Sequence, residues 1–333
     1  MASERNRQWV LRARPVGMVK DADFELVSAP RPEPADGEAL VRNRFLAFEP
    51  AMRGWMEDRK SYIPPVGLGD VMRGMTVGEV VASRHSELAP GDLVTAMGGW
   101  QEWFAGSFGV QKLAPGTDPT LALSVLGITG LTAWFGMREL GRPQPGETAV
   151  VSGAAGATGG VAGQLAKLAG ARAIGIAGGE AKCRWLVDEA RYDAAIDYKR
   201  EDVAARLAEL APDGVHVFFD NVGGAILEAV LEHIALRARL VLCGGISGYN
   251  LAEPQPGPRN LLNLVSRRGR MEGFIVIDYA ARFGEATAAL AREVAAGRLV
   301  HRVDVQRGIE NAPRTFRRLF SGENLGKQLL RLD

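Results

Sequence analysis

Three glycines, Gly153, Gly156 and Gly159, stand at three-residue intervals directly after the apolar run Thr148-Ala-Val-Val-Ser152. A turn without side chains between a strand and a helix lets the helix N-terminus approach a phosphate, whose charge meets unpaired N–H groups and the positive end of the helix dipole. The spacing departs from G-x-G-x-x-G, so the flanking strand and helix carry much of this reading, and a purely structural tight turn is its alternative. The next strand ends in Ala177-Gly178-Gly179, where a site for a ribose diol would place Asp or Glu. A 2′-phosphate instead needs room and a cation, and Lys182 follows three residues after Gly179. Glu180 would be the diol acceptor if the loop turned inward. The residues therefore favour NADPH over NADH, with a solvated first-turn lysine as the other reading of Lys182.

Other chemistries find less support. The chain has two cysteines, Cys183 and Cys243, and four histidines, His85, His216, His233 and His301, without the close spacing of a zinc site, so no metal is expected. Cys243 reads as a buried strand residue, since no neighbouring base would make it a nucleophile. With 40 basic and 39 acidic side chains, no field for a polyanion exists, and the short runs at 267–270 and 314–318 read as solvated faces or phosphate contacts. No nucleic-acid partner is expected. The polar start Met1-Ala-Ser-Glu-Arg-Asn-Arg precedes no apolar core, so no secretory signal is expected. The uncharged stretches 119–137 and 148–166 are broken by Gly, Ser and Thr and read as buried elements, not membrane spans. A cytoplasmic protein follows as the expectation.

The elements that must position the glycine turn form an alternating series. Apolar runs at 148–152, 173–177, 194–197, 215–220, 240–243 and 274–277 read as strands. Helical patterns lie between them at 181–190, 202–210 and 225–234, and another follows at 280–296. Such alternation specifies a parallel sheet covered on both faces, and six strands match a Rossmann doubly wound α/β fold. Residues 1–120 instead carry short strand-like runs at 8–12, 24–27, 38–47, 75–83, 93–96 and 103–108, separated by Pro and Gly. A helix-like 312–320 and a strand at 329–332 in the tail return to this β-rich part. The expected division is thus 1–120 with 301–333, and 121–300.

At the level of whole motifs, the chain resembles the zinc-independent medium-chain dehydrogenase/reductases. The likeness is to the leukotriene B4 12-hydroxydehydrogenase/prostaglandin reductase and double-bond reductase group, and within it to bacterial curcumin reductases. The segments that carry it include Met52-Arg-Gly-Trp-Met56, Gly127-Ile-Thr-Gly-Leu-Thr-Ala-Trp134, Ala154-Ala-Gly-Ala-Thr-Gly159, Phe219-Asp-Asn-Val-Gly-Gly224, Cys243-Gly-Gly-Ile-Ser-Gly-Tyr-Asn250, Met271-Glu-Gly-Phe274 and Gly322-Glu-Asn-Leu-Gly-Lys327. They run through nearly the whole chain in the family's order. Ser61-Tyr62 before Pro64-Pro65-Val66 resembles the curcumin-reductase branch in particular.

The resemblance implies a β-rich GroES-like substrate domain beside the Rossmann domain, a homodimer joined through Rossmann sheet edges, and a small-molecule α,β-unsaturated carbonyl substrate. It implies hydride transfer from NADPH to the β-carbon of that aldehyde or ketone, with a hydrogen-bond donor at the carbonyl oxygen. It places Gly156, Ala157, Thr158 and Gly159 at the pyrophosphate, Lys182 at the 2′-phosphate and Tyr198 at the adenosine end. Asn221, the Cys243–Tyr249 segment (Cys243, Gly244, Gly245, Ile246, Ser247 and Tyr249) and Phe274, Ile275 and Val276 of the 274–277 strand would line the ribose and nicotinamide. Asn324 would reach the cofactor from the returning tail. Two tyrosines common among relatives are replaced here by Ser266 and Ala51. That leaves Tyr249 and Tyr62 as the phenols at family-like positions, site-lining with a catalytic role open to them, and Trp55 and Met56 as an apolar wall or ordinary core. A quinone reductase of the same superfamily and a non-catalytic NADPH-binding protein are the alternative functions.

Overall fold

The computed structural model describes residues 5–254 and 256–332. One unit comprises the chain through Leu123 together with everything from Val303, and the other is Ser124–Arg302. In the first unit, β1 (Arg5–Leu11) pairs antiparallel with β2 (Phe24–Pro30). A second sheet begins with β3 (Ala39–Ala47), and a short α1 (Met52–Trp55) precedes β4 (Thr76–Ser83), β5 (Leu93–Ala96), β6 (Trp103–Gly106) and β7 (Gln111–Lys112). Close packing of β3 against β4 needs Gly78, where a Cβ would lie 2.5 Å from the Arg42 carbonyl oxygen. The first stretch of this unit ends with α2 (Pro119–Leu123).

The second unit opens with α3 (Ile128–Phe135), which runs into a π-helical turn at Gly136–Gly141. Then come β8 (Thr148–Ser152), α4 (Ala157–Leu168), β9 (Arg172–Ala177), α5 (Glu180–Asp188), β10 (Ala194–Asp197), α6 (Val203–Leu210), β11 (Val215–Asp220), α7 (Gly224–Glu232) and β12 (Ile234–Leu242). The unit closes with α8 (Asn263–Arg267), β13 (Arg270–Gly273) and α9 (Phe283–Ala295). All neighbouring strands are parallel, in the order β10-β9-β8-β11-β12-β13. Chain order reverses between β8 and β11, so the carboxyl ends of these two strands flank the topological switch point of a doubly wound sheet. Buried Val150, Ile174, Ile196, Phe218 and Leu240 form its core with Leu227, Val230 and Leu231 of α7.

The sixth strand corrects the expectation drawn at 274–277. Arg270-Met-Glu-Gly273 takes that place beside β12, and Val276–Arg282 is instead a 3₁₀ segment leading into α9. An edge strand tolerates exposed charge on its outer side. The apolar run after it is needed elsewhere: Val276 is buried, and Phe274 packs edge-on against Phe219 with ring centroids 6.5 Å apart.

After the second unit the chain returns as β14 (Val303–Arg307), α10 (Ala312–Ser321) and β15 (Lys327–Arg331), completing the first unit's sheet as β14-β15-β3-β4-β5-β7, with β6 on β3. Its core gathers Phe24, Phe48, Met52, Met56, Trp100 and Phe316, with Trp100 stacked on Phe24 at 5.3 Å. Two arginines of the basic run of α10 form ion pairs, Arg317 with Asp21 and Arg318 with Asp304 and Glu323. Among the described residues no helix is long and apolar enough to cross a membrane.

Candidate functional site

The glycine turn between β8 and α4 has the geometry a phosphate cradle requires. Gly153 has φ +56°, in the left-handed region that favours glycine. A Cβ on Gly159 would lie 2.4 Å from the Gly153 carbonyl oxygen, so only glycine permits the first turn of α4 to fold back on the end of β8. Gly156 is the N-cap, and no side chain caps it. The N–H groups of the following residues, Ala157, Thr158 and Gly159, are those an α-helix leaves without intrahelical acceptors. Gly156, Ala157 and Thr158 are half-buried and Gly159 is buried.

Across the switch point, the turn after β11 is organised by a buried carboxylate that sequence reasoning missed. Asp220 accepts the Ser152 hydroxyl at 2.6 Å, the Val222 N–H at 2.9 Å and the Gly223 N–H at 3.0 Å. Burial pushes its carboxyl above the ordinary carboxylate range, against these hydrogen bonds. Ser152 in turn accepts the Asn221 N–H at 2.8 Å, while the Asn221 side-chain amide donates to the Ser152 carbonyl at 2.7 Å. Asn221 is thereby fastened to the end of β8. Its Cβ and a Val222 methyl come within 3.4 and 3.5 Å of where a Gly153 side chain would begin. Its signals in the sequence were an acid closing an apolar strand and its place in the Phe219-Asp-Asn-Val-Gly-Gly224 segment.

The segment after β12 folds down onto the same turn. Cys243 and Gly244 donate their N–H groups to the Asp220 carbonyl, Ile246 to that of Asn221, and Ser247 to that of Val222, at 2.9–3.2 Å. The Ser247 hydroxyl adds a 2.6 Å bond to the Val222 carbonyl. The Tyr249 hydroxyl accepts the Gly245 N–H at 3.2 Å and lies 3.1 Å from the position of a Cβ on Gly244. Cys243 corrects the expectation of a buried strand residue: it follows the last residue of β12 and is half-buried, and desolvation with the nearby Asp220 charge pushes its thiol up to about 12. Asn221, Gly244, Gly245, Ile246, Ser247 and Tyr249 are thus brought together around one turn. Phe274 and Ile275 are half-buried, and Phe274 sits against Gly136.

Lys182 and Tyr198 belong to the neighbouring end of β9 and β10. Gly179, with φ +99°, donates its N–H to Asp197 at 2.8 Å, and Asp197 also accepts the Lys199 N–H at 3.1 Å. The Tyr198 ring and the Lys199 chain lie about where a Gly178 side chain would, 2.9 and 3.0 Å from its would-be Cβ. Lys182 is half-buried in the first turn of α5. Glu180 pairs with Arg184 at 3.8 Å and Arg200 at 3.7 Å. The inward diol-acceptor role weighed for Glu180 therefore competes with two cations. Lys199 and Arg200 went unnoticed because they follow Tyr198 as an ordinary strand-end charge pair. Cys183 nearby is no activated nucleophile: burial, then Asp197 and Glu201, push its thiol up to about 11.

Tyr62 and Asn324 lie in the β-rich unit. The Tyr62 hydroxyl accepts the Trp55 indole N–H at 3.0 Å, and the Tyr62 side chain is exposed. Met56 is core, fully buried beside Met52 and Val66, while Trp55 is half-buried. Asn324 is buried and donates to the Gly326 carbonyl at 2.9 Å. Ser266 is exposed on α8, and its hydroxyl donates to the Asn263 carbonyl at 3.1 Å. Among the described residues no three His, Cys, Asp or Glu side chains converge in a way that could hold a metal ion.

Comparison with known proteins places these features in a family. Residues 7–111 match the model described as N-terminal domain of oxidoreductase, and residues 157–292 the one described as zinc-binding dehydrogenase. The chain is 38% identical to the NADPH-dependent curcumin reductase of Escherichia coli, covering 99% of this chain and 97% of that protein. It is 37% identical to the NADP(+)-dependent 2-alkenal reductase of Nicotiana tabacum, over 98% of this chain and 97% of that one. The crystal structure of CurA in complex with NADPH from Vibrio vulnificus superposes with a TM-score of 0.94 at 40% identity, covering 98% of this chain and 99% of that chain. The chain belongs to the zinc-independent medium-chain dehydrogenase/reductases, in their double-bond reductase group of oxidoreductases.

Proposed function

We propose that the protein uses NADPH to reduce the carbon–carbon double bond of α,β-unsaturated aldehydes or ketones. The observation that carries this reading is the uncapped, glycine-built N-terminus of α4 at the switch point, with Lys182, Lys199 and Arg200 about the neighbouring Gly178-Gly179 turn. The glycine cradle fits a pyrophosphate, since the left-handed φ of Gly153 and the close approach of Gly159 to the Gly153 carbonyl bring bare backbone to the helix N-terminus. On this reading the Ser124–Arg302 unit is the nucleotide domain and the β-rich unit the substrate domain.

Bound NADPH supplies the hydride. Gly156, Ala157, Thr158 and Gly159 would hold the pyrophosphate, Lys182 with Lys199 and Arg200 the 2′-phosphate, and Tyr198 the adenosine. Asn221, Cys243, Gly244, Gly245, Ile246 and Ser247, with Phe274, Ile275 and Val276, would line the ribose and nicotinamide. Charge develops on the substrate's carbonyl oxygen as the β-carbon is reduced, and a neutral phenol O–H placed there stabilises it. Tyr249 takes this role, oriented by the Gly245 N–H that its oxygen accepts. A homodimer would form through β13, which has β12 on one side and ends the sheet order on the other.

The test follows NADPH absorbance with an alkenal, an enone and a quinone. Oxidation with the first two, yielding the saturated carbonyl compound, is expected. Turnover of the quinone alone would replace the reading with a quinone reductase, and NADPH binding without oxidation across the panel would remove the catalytic function.

A further inference from the structure

Helix α4 contains Gly159, Gly160 and Gly163 within twelve residues. Each interior glycine costs about 1 kcal/mol relative to alanine, so the accumulation needs a physical cause. Gly159 meets the end of β8, and a Cβ on Gly160 would lie 3.1 Å from the Trp185 ring. At Gly163 the obstacle is Tyr192: a Cβ would lie 2.0 Å from its Cζ and 2.1 Å from its hydroxyl oxygen.

Tyr192 is buried, 2% exposed, between α4 and β9, and with Leu186 and Ala154 at 2.8 and 2.9 Å its Cδ1 at 3.1 Å crowds the place of a Gly175 side chain. Its hydroxyl donates to the Gly159 carbonyl at 2.6 Å and accepts the Gly163 N–H at 3.1 Å. These are the i and i+4 groups that an α-helix joins to each other. Burial drives the phenol far above its ordinary range, so it is a permanently neutral donor. The next residue, Asp193, accepts Lys167 from the last turn of α4 at 2.6 Å and the Ala173 N–H of β9 at 2.7 Å. Two consecutive residues therefore grip α4 at its first turn and its last and tie it to the sheet.

We propose that Tyr192 is a positioning residue for the dinucleotide's pyrophosphate: its inserted hydroxyl fixes Gly159, and so the N-terminal turn of α4, at the depth the pyrophosphate requires. This inference rests on the reading of α4 as the NADPH pyrophosphate site and adds a residue that would never touch the cofactor. It ties the position of the first turn to one oxygen atom that is not part of the helix, while α4 keeps its own backbone without it.

Tyr192→Phe removes that oxygen alone. NADPH and NADH, which share the pyrophosphate, should each lose affinity by the same factor, about fivefold or more for one mispositioned set of hydrogen bonds. Binding of 2′-AMP, which has no pyrophosphate, should stay within about twofold of wild type, a pattern that general damage to the domain would not produce. Unchanged NADPH affinity, or 2′-AMP weakened as much as NADPH, overturns the proposal. If Tyr192→Phe does not fold, Tyr192→Leu combined with Gly163→Ala refills the slot without the hydroxyl, and the same two outcomes decide. Failure of the wild type to bind NADPH would instead remove the functional reading itself.

Discussion

Gly163→Ala sets two effects of opposite sign against each other. Alanine in a helix interior is worth about 1 kcal/mol over glycine, from propensity and the reduced freedom of the unfolded chain. Against that, the added methyl would lie 2.0–2.3 Å from Cζ, the hydroxyl oxygen and Cε1 of Tyr192. These are atoms of a rigid ring, buried and held by two hydrogen bonds, so the ring cannot swing aside cheaply. Overpacking of this kind costs about 3 kcal/mol or more at its upper end, leaving a net loss of about 2 kcal/mol and a Tm lowered by about 4–8 °C for a unit of this size. Tyr192→Leu alone should cost about 2–4 kcal/mol through the lost ring and hydroxyl. The double variant should be no less stable than Tyr192→Leu alone, a coupling of about 2 kcal/mol, because leucine removes the atoms the methyl strikes. Urea unfolding of the four proteins measures it. A Gly163→Ala protein as stable as wild type, or a double variant whose loss is the sum of the singles, would refute the argument that Tyr192 dictates this glycine.

Lys182→Ala should weaken NADPH about tenfold or more while leaving NADH nearly unchanged, as titrations of both cofactors will show; equal losses would take Lys182 out of the 2′-phosphate site. For Asp220, the folded pKa is raised, so its contribution to stability is fully present below the unfolded carboxylate value of about 4 and is lost as pH climbs through the folded value. Asp220→Asn should remove that component, so urea unfolding from acid to neutral pH should give a shallower decline in the variant than in wild type; parallel curves would contradict the assignment. With thiols raised to about 11 at Cys183 and about 12 at Cys243, alkylation by iodoacetamide near neutral pH should be much slower than that of a free cysteine. Tyr249→Phe should lower kcat with little change in NADPH affinity if its phenol serves the carbonyl oxygen, and an unchanged kcat would exclude it.

The alternating core of the second unit was readable because parallel strands buried on both faces appear as unbroken apolar runs, as in Thr148–Ser152, which is buried throughout. The edge strand Arg270–Gly273 was not, since a strand with one neighbour need not be apolar, and the adjoining Phe274–Ile277 is the more apolar run while it serves as packing at the strand's end. The glycine turn could be read locally because a backbone constraint leaves its mark at the residue itself. Asp220, Lys199 and Tyr192 left no such mark. Asp220 acts on Ser152 across 68 positions of sequence, and Tyr192 on Gly163 across 29, so their roles exist only once the sheet has brought those segments together.

The destination of the hydride separates double-bond reduction from carbonyl reduction. NADPH deuterated at its transferring position should be incubated with an aryl enone, and the product examined by NMR. Deuterium on the β-carbon of a saturated ketone, with the α-hydrogen drawn from solvent, is the predicted result. Deuterium on the carbonyl carbon of an alcohol, with the double bond intact, would contradict the account.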